Sequence, residues 1–402
     1  MAENDREYRV IARRWRPKTF DELVGQDHIV RTLKNAINAG KIAHAYLFVG
    51  PHGTGKTTMA RLLATALNVE NGPSASFDTN GEIATEIANG SCLDVIEIDG
   101  ASNNSVDQIR NLREECQYTP VKCLYKIYII DEVHMLSNAA FNALLKTLEE
   151  PPVHVKFIFA TTEATKVLPT VTSRCQRFSF RPVNDVTLCQ KLREIADHEG
   201  IKVSDEALKL IVRLANGGVR DAQSILDQMA AFCANKIEEV NILSAYGLAA
   251  DAKLDEIISA MRSGNYEKIL SLSDEVVSSN CDLYRVLCDL ETRLHAQLSR
   301  LLSTSSENFP EREIRILEAI HRSKDDTKSG FDERTNFESI LLHATEQSQT
   351  RAIDYILQIL RKQSSQFPDI QENTATSSRL PKSTQDLLRE NFHAKIRVLK
   401  GE

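Results

Sequence analysis

A glycine-rich segment at residues 50–57, GPHGTGKT, constrains the fold more than any other part of the sequence. It fits the pattern G-x-x-x-x-G-K-[ST], in which backbone N–H groups curl inward and cradle phosphate oxygens at the start of a helix. An apolar run at 44–49 precedes it and predicts a strand, and 56–68 has the apolar spacing of a helix. A chance glycine-rich turn would lack this setting. The sequence therefore predicts a phosphate-binding loop on an α/β sheet.

The loop supplies candidate residues for a nucleotide and its metal ion. Lys56 is predicted to reach the β- and γ-phosphates, and the Thr57 hydroxyl to ligate Mg²⁺. ATP and Mg²⁺ are therefore the predicted ligands. The predicted nucleotide-binding residues of the loop are Gly50, Pro51, His52, Gly53, Thr54, Gly55, Lys56, Thr57 and Thr58.

Two acidic residues follow the apolar run at 126–130. A carboxylate at the C-terminal end of a parallel strand faces the ligand crevice. Asp131 is predicted to hold Mg²⁺ directly or through water, and Glu132 to polarise the attacking water. The alternative is a pair of exposed acids at a strand end, which the intact loop upstream makes a minor one.

Three further residues are candidates for the hydrolysis site. Thr162 follows the run at 156–160 and could orient the water, although a threonine at a strand end is also common for its β-propensity alone. Arg174 could complete the site of a neighbouring subunit, or be a surface arginine. Arg220 could reach the γ-phosphate from a helical unit, or pair with a nearby acid on an exposed helix.

The order of apolar runs predicts the fold class. Runs at 44–49, 93–98, 126–130, 156–160 and 176–180 predict five strands separated by helices, hence a mainly parallel sheet. Strand signals stop after Pro182, and helical patterns continue to about 365. We expect an ATPase domain at 1–183, a helical lid at 184–248, an all-α domain at 249–365 and a polar, flexible tail at 366–402.

Composition excludes several classes of protein. The net charge of −7 gives no overall basic field, so any nucleic-acid contact must come from a local patch. The 8 cysteines form no CxxC pair, which argues against a disulfide framework or a metal ribbon. No apolar run approaches the ~20 residues of a membrane span. We expect a cytoplasmic protein that does not bind membranes.

Several longer motifs resemble the bacterial DNA polymerase III gamma/tau family, which consists of AAA+ clamp-loader ATPases. The resemblance is dense over residues 8–248 and thins beyond them. It is carried by ARRWRPKTF at 12–20, VGQ at 24–26, HAYLF at 44–48, DEVHML at 131–136, FNALLKTLEEPP at 141–152 and SRC at 173–175.

The resemblance implies partners and residue roles. It implies a hetero-pentameric ring with other clamp-loader subunits, in which the 249–365 helices form the collar, acting on a sliding clamp and primer–template DNA. It also implies that Thr162 is a sensor of the γ-phosphate, that Arg174 acts in trans and that Arg220 is a second sensor. By the same analogy, Arg16, Pro17 and Val24 lie near the nucleotide base.

The sequence also departs from the family pattern at a position where many members contact DNA. The segment at 99–110 resembles the part of clamp loaders that tracks the template phosphates, and many members place basic residues there. Here the DNA-backbone candidates are Asn103, Asn104, Ser105 and Arg110, with Lys146 further along the chain. Backbone N–H groups at a helix start can still bind phosphate, although an N-capping cluster explains the same residues.

The chain stops at 402 and is expected to resemble the short gamma form.

Two other readings compete with a clamp-loader motor. A branch-migration helicase of the AAA+ class would share the phosphate and hydrolysis motifs, but should lack SRC at 173–175 together with LEEPP at 148–152. A non-catalytic clamp-loader partner would share the fold, but such partners usually have a broken phosphate loop. The intact Lys56, Thr57, Asp131 and Glu132 argue against that partner.

A second departure predicts the absence of structural zinc. Many gamma/tau proteins carry a four-cysteine zinc module where this chain has residues 69–84, and that stretch contains no cysteine. Cys92 alone cannot build a tetrahedral site, which takes four ligands. We expect no zinc in purified protein by elemental analysis. One zinc per chain that survives dialysis against a chelator would contradict this prediction.

Overall fold

A computed structural model describes residues 10–70, 72–102, 106–304, 310–325 and 332–349. Its centre is a five-stranded sheet in which every neighbouring pair is parallel. The strand order is β2-β3-β4-β1-β5. The strands are β1 (Ala45–Val49), β2 (Val95–Asp99), β3 (Lys126–Asp131), β4 (Val155–Thr161) and β5 (Gln176–Ser179). The predicted five-stranded parallel sheet is confirmed.

Helices cover both faces of this sheet, which is why β1 and β4 are buried along their whole length. The helices up to the end of the sheet are α1 (Ile11–Arg14), which packs against the later helical region at 185–245, and α2 (Asp27–Asn38), α3 (Lys56–Asn68), α4 (Glu82–Asn89), α5 (Val106–Glu115), α6 (Asn138–Glu149) and α7 (Pro169–Thr172). Short 3₁₀ turns occupy Phe20–Glu22, Val133–Met135 and Ala164–Lys166.

Alternate residues of each strand enter different cores. Tyr46 and Phe48 of β1 pack in one core with α2, α3 and α4, whereas Leu47 packs in the other with α5 and α6. Ile158 and Phe159 of β4 divide in the same way. This alternation follows from the two-residue period of a strand and places one core on each face of the sheet.

The next region contains the helices α8 (Asp185–Glu199), α9 (Asp205–Ala215), α10 (Val219–Phe232) and α11 (Glu239–Ala245). It also contains two parallel strands of two residues each, β6 (Lys202–Val203) and β7 (Lys236–Ile237). The expectation that no strands occur after Pro182 is therefore wrong. Two residues are too few to show a period of two in the sequence.

A third core lies in the helical region after α11. Its helices are α12 (Asp251–Ser263), α13 (Tyr266–Ser278), α14 (Leu283–Thr304), α15 (Glu311–Ser323) and α16 (Glu333–Gln349). Arg213 at the end of α9 joins Asp251 at the start of α12 by an ion pair of 2.9 Å, and Asp251 also pairs with Arg293. The helical character of both regions is confirmed, while the exact domain limits stay predictions.

Sequence patterns located the elements more accurately than their ends. Most strands begin or end one or two residues from the predicted limits, and α4 was not predicted at all. The predicted tail at 366–402 lies outside the described residues. No helix within the described ranges is both long and apolar enough to cross a membrane.

One buried carboxylate holds a loop against the start of β2. Asp94 is 2% exposed and accepts the backbone N–H groups of Val121, Lys122 and Cys123 at 2.8, 2.7 and 2.9 Å. Burial alone would raise the pKa of this carboxyl, but the three donors outweigh burial and lower it. The ionised form therefore stabilises the fold.

Replacing this carboxylate should destabilise the protein. We expect Asp94→Asn to lower the free energy of unfolding by about 1–3 kcal/mol, measured by urea denaturation at neutral pH. Because the folded pKa is the lower one, the wild-type contribution is complete at neutral pH and disappears as pH falls from ~3.9 through the folded value. The exposed Asp197→Asn is the control; equal midpoints for the two variants would refute this account.

Candidate active site

The phosphate loop lies between β1 and α3, and its shape requires glycine. A Cβ atom on Gly50 would lie 2.6 Å from the carbonyl oxygen of Phe180 on the neighbouring chain segment. Gly53 and Gly55 have φ angles of 69° and 96°, a region that residues with a Cβ rarely adopt. The glycines of the sequence pattern are thus explained by close approach and by backbone conformation.

The ammonium group of Lys56 lies inside this loop. Its Nζ donates hydrogen bonds to the carbonyl oxygens of Gly50 at 2.9 Å and Pro51 at 2.8 Å. Burial lowers the pKa of Lys56, and the carboxylates of Glu132 and Asp131 partly oppose that effect. Phosphate oxygens entering the loop would meet a preplaced cation.

Thr57 and Asp131 meet although they are far apart in sequence. The Thr57 hydroxyl donates a hydrogen bond of 2.5 Å to Asp131 Oδ2, and the backbone N–H of Glu132 donates to the other carboxylate oxygen at 3.0 Å. A hydroxyl and a carboxylate beside a phosphate loop are the hard oxygen ligands that Mg²⁺ takes together with phosphates and water. The donor set therefore fits this ion. Across the described residues, no group of three or more His, Cys, Asp or Glu side chains could hold a metal.

Glu132 and Thr162 also come together. Glu132 has a φ of 45°, in the left-handed region, and its Oε2 accepts hydrogen bonds from the Thr162 hydroxyl at 3.1 Å and the Thr162 N–H at 3.4 Å. The ends of β3 and β4 are adjacent, so parallel pairing places both residues at one edge of the sheet. Glu132 and Thr162 are therefore in contact, and their predicted roles toward the attacking water stay predictions.

Gly100, which the sequence analysis missed, supports this edge. Its N–H donates to the Asp131 carbonyl oxygen at 2.8 Å. A Cβ atom at this position would lie 2.7 Å from the carbonyl oxygen of Glu132 and 3.0 Å from that of Asp131. The only signal in the sequence was a glycine directly after a predicted strand.

A cavity extends from the loop between the N-terminal segment and the α8–α10 region. Its lining includes Arg16, Pro17 and Val24, which are predicted to lie near the nucleotide base. It also includes the loop residues 52–58, the two acids at 131 and 132, and Arg220. The lining residues absent from the sequence prediction are Ala12, Trp15, Glu22, Leu23, Lys191, Val219 and Gln223.

Trp15 and Lys191 join the N-terminal segment to α8 at the rim of this cavity. The Trp15 indole donates to Glu199 at 2.9 Å, and Lys191 Nζ lies 5.2 Å from the indole ring centre. Trp15 is the single tryptophan of the chain and stands in the ARRWRPKTF motif, which could have marked it. Burial, together with the nearby Arg61 guanidinium, lowers the pKa of Arg16 in the same wall.

Helix α10 touches the phosphate loop directly. The backbone N–H of Arg220 donates to the carbonyl oxygen of Gly53 at 3.3 Å, and the Arg220 side chain faces the cavity. The Asp221 carboxylate lies so close that a Cβ on Gly53 would be 2.6 Å from it. The start of α10 therefore lies against the loop that would hold the phosphates.

Arg174 lies elsewhere, outside the lining of this cavity. Its guanidinium donates to the Thr170 carbonyl oxygen and to Glu149 Oε1, both at 2.7 Å, and its side chain is 34% exposed. The ion pair joins the SRC motif to the LEEPP motif. Arg174 therefore does not line this chain's own cavity, and a role in a neighbour's site stays a prediction.

The structure describes only part of the candidate DNA surface. Asn103, Asn104 and Ser105 lie outside the described residues. Arg110 on α5 and Lys146 on α6 are exposed, and these two helices pack against each other. The two cations thus belong to one helical layer on the same side of the sheet.

Two family models match the chain. Residues 25–184 match the model described as DNA polymerase III, delta subunit. Residues 187–235 match the model described as DNA polymerase III clamp loader subunit, ATPase lid domain. The two matches meet where the sheet ends and the α8–α11 region begins.

Curated relatives agree with these models. The chain is 42% identical to DNA polymerase III subunit tau of Bacillus subtilis over 70% of this chain and 50% of that protein. It is 38% identical to DNA polymerase III subunit gamma of Buchnera aphidicola subsp. Schizaphis graminum over 72% of this chain and 79% of that protein. The chain spans about half the length of the tau relatives it matches. A solved RuvB motor of Thermotoga maritima matches with a TM-score of 0.43 at 17% identity, over 61% of this chain and 79% of that one, which decides nothing about function.

Filling the space at Gly100 should displace the acidic edge of the sheet. We expect Gly100→Ala to lower the rate of ATP hydrolysis by about 10²-fold, because a shift of about 1 Å in a reacting group has that effect. ATP affinity, measured by equilibrium titration, should change little because the loop at 50–57 is untouched. Gly81→Ala is the control, since its Cβ would meet nothing nearer than 3.3 Å. Equal rates in both variants would contradict the proposed support.

Proposed function

The chain belongs to the DNA polymerase III gamma/tau family, and on that basis we propose that it is an ATP-hydrolysing motor subunit of a bacterial clamp loader. In this proposal, ATP binding and hydrolysis drive the placement of a sliding clamp on primed DNA. The observation that carries the proposal is the meeting of Lys56, Thr57, Asp131, Glu132 and Thr162 at one edge of the sheet.

The loop residues bind the nucleotide. Backbone N–H groups of residues 52–58 cradle the phosphates, and Lys56 neutralises their charge. Thr57 and Asp131 would hold Mg²⁺, which would neutralise charge that develops on the transferred phosphoryl group. Arg16, Pro17 and Val24, which line the same cavity, surround the base.

Glu132 activates the water that attacks the γ-phosphate. One of its carboxylate oxygens already accepts a hydrogen bond from Thr162, so the other is left to accept a proton from the attacking water. Thr162 senses the γ-phosphate through the same hydroxyl. Because phosphoryl transfer depends mainly on position and electrostatics, this arrangement needs no covalent intermediate.

Arg220 reports the nucleotide state to the helical lid. It reaches the cavity from the start of α10, whose backbone already contacts Gly53. The charge on a γ-phosphate would attract this guanidinium and draw α10 toward the loop. The ion pairs from Arg213 to Asp251 and from Asp251 to Arg293 would carry that movement to the next helical region.

Arg174 acts on a neighbouring subunit in a hetero-pentameric ring. Its position outside its own cavity and its partly exposed side chain support an arginine supplied in trans. The collar helices at 249–365 hold the ring together, and Arg110 and Lys146 contact the DNA backbone with residues 103–105. A cytoplasmic location and the absence of a zinc module complete the proposal.

The test is ATP hydrolysis in a reconstituted assembly. The chain is mixed with its candidate loader partners, clamp and primed DNA, and phosphate release is measured with and without each component. We expect stimulation only when partners, clamp and DNA are all present. Lys56→Ala should abolish ATP binding, because the loop loses its cation.

A second variant separates action in trans from a structural role. Arg174→Ala should lower the stimulated rate by about 10³-fold or more without weakening ATP binding, as expected for an arginine finger. Exposed Arg177→Ala on β5 is the matched control and should leave both quantities unchanged. A rate that clamp and DNA do not stimulate in the complete mixture would refute the clamp-loader proposal.

A further inference from the structure

A histidine lies behind the water-activating glutamate. His134 is in the 3₁₀ turn Val133–Met135 directly after β3, and only 7% of its side chain is exposed. Its Nδ1 lies 3.3 Å from Glu132 Oε2 and 3.1 Å from the Thr161 hydroxyl oxygen. Its Nε2 lies 3.5 Å from Glu163 Oε1. The ring therefore fills the space between two carboxylates.

The two oxygens of the Glu132 carboxylate have different surroundings. Oε2 is enclosed by the Thr162 hydroxyl, the Thr162 N–H and the His134 ring. Oε1 faces the phosphate loop, where it lies 3.7 Å from His52 Nδ1. One oxygen is thus anchored in the protein, and the other is directed to the side where phosphate would bind.

Fixing this carboxylate requires more than the backbone. A glutamate side chain has three rotatable bonds, and Thr162 by itself allows the carboxylate to turn about its contact. A contact with a second residue on the same oxygen, from the rigid ring of His134, removes that freedom before the reaction begins. The half-buried setting of Glu132, with 23% of its side chain exposed, makes such contacts stronger than they would be in water.

The ring is held from its outer side as well. Glu163 faces His134 Nε2 and pairs with Lys166 at 2.8 Å, and its backbone N–H donates to the Thr161 hydroxyl oxygen at 3.1 Å. Thr161 and Glu163 flank Thr162 in sequence. The segment that carries the γ-phosphate sensor therefore also fixes the orientation of the imidazole ring.

We propose that His134 is a positioning residue for ATP hydrolysis, acting through Nδ1 on Glu132 so that Oε1 faces the attacking water. This inference rests on the proposed ATPase function. Neither the loop pattern nor the two acids at the end of β3 predicts this role for His134. The residue touches no phosphate and acts only through Glu132.

Two amide variants distinguish the ring nitrogens. In His134→Asn the side-chain amide occupies the place of Nδ1 and can keep the contact with Glu132, whereas in His134→Gln the amide reaches toward Nε2 and Glu163. We expect Asn to keep most of the turnover number and Gln to lose it by about tenfold or more, because an unfixed general base loses part of its effect. ATP affinity, measured by equilibrium titration, should match the wild type in both.

The assay uses the full chain in the reconstituted loader, with thermal melting to confirm that each variant is folded. His28→Asn, an exposed histidine on α2, is the control and should behave as wild type. Equal turnover for the Gln variant and the wild type would overturn the proposal, and so would equal losses for Asn and Gln. If the wild-type assembly itself shows no ATP hydrolysis, the proposed function fails instead.

A second substitution, Glu163→Gln, should lower turnover less than His134→Gln does; a larger loss would contradict action through Nδ1.

Discussion

Parallel pairing around β4 is the constraint on which the site depends. β4 lies between β1 and β3, and its register places Val49 beside Thr161 and Ile130 beside Phe159. The C-terminal ends of three strands therefore reach the same level at one edge of the sheet. Only in that register can Thr57, in the first turn of the helix after β1, bond to Asp131 at the end of β3.

The packing at this edge leaves little room for change. Gly50 is pressed against Phe180, and Gly100 against the turn between Asp131 and Glu132. Both glycines are needed because another segment of backbone lies where a side chain would be. The left-handed conformation of Glu132 belongs to the same tight turn, and strained backbone of this kind is common at functional sites.

The helical regions connect the phosphate loop to the rest of the chain. Ile11 in the N-terminal segment packs into the core of the α8–α11 region, so this segment ties the region to the sheet. Arg220 touches the loop from one side, and Arg213 pairs with the next helical region from the other. Packed helices and an ion pair thus run without interruption from the loop through α10 and α9 to α12.

The sequence by itself determined the phosphate loop, the two acids, the sheet and the helical character of the chain after β5, because short-range patterns encode them. Tertiary structure alone decided that Arg174 pairs with Glu149 outside the cavity lining, that Trp15 and Lys191 form the rim of that cavity, and that Gly100 supports Glu132. It also decided the place of His134 between Glu132 and Glu163. These contacts depend on the directions of side chains. They also join segments that are far apart in sequence, and no periodic pattern in the sequence predicts such pairs. They exist only because parallel strands bring distant parts of the chain to one edge.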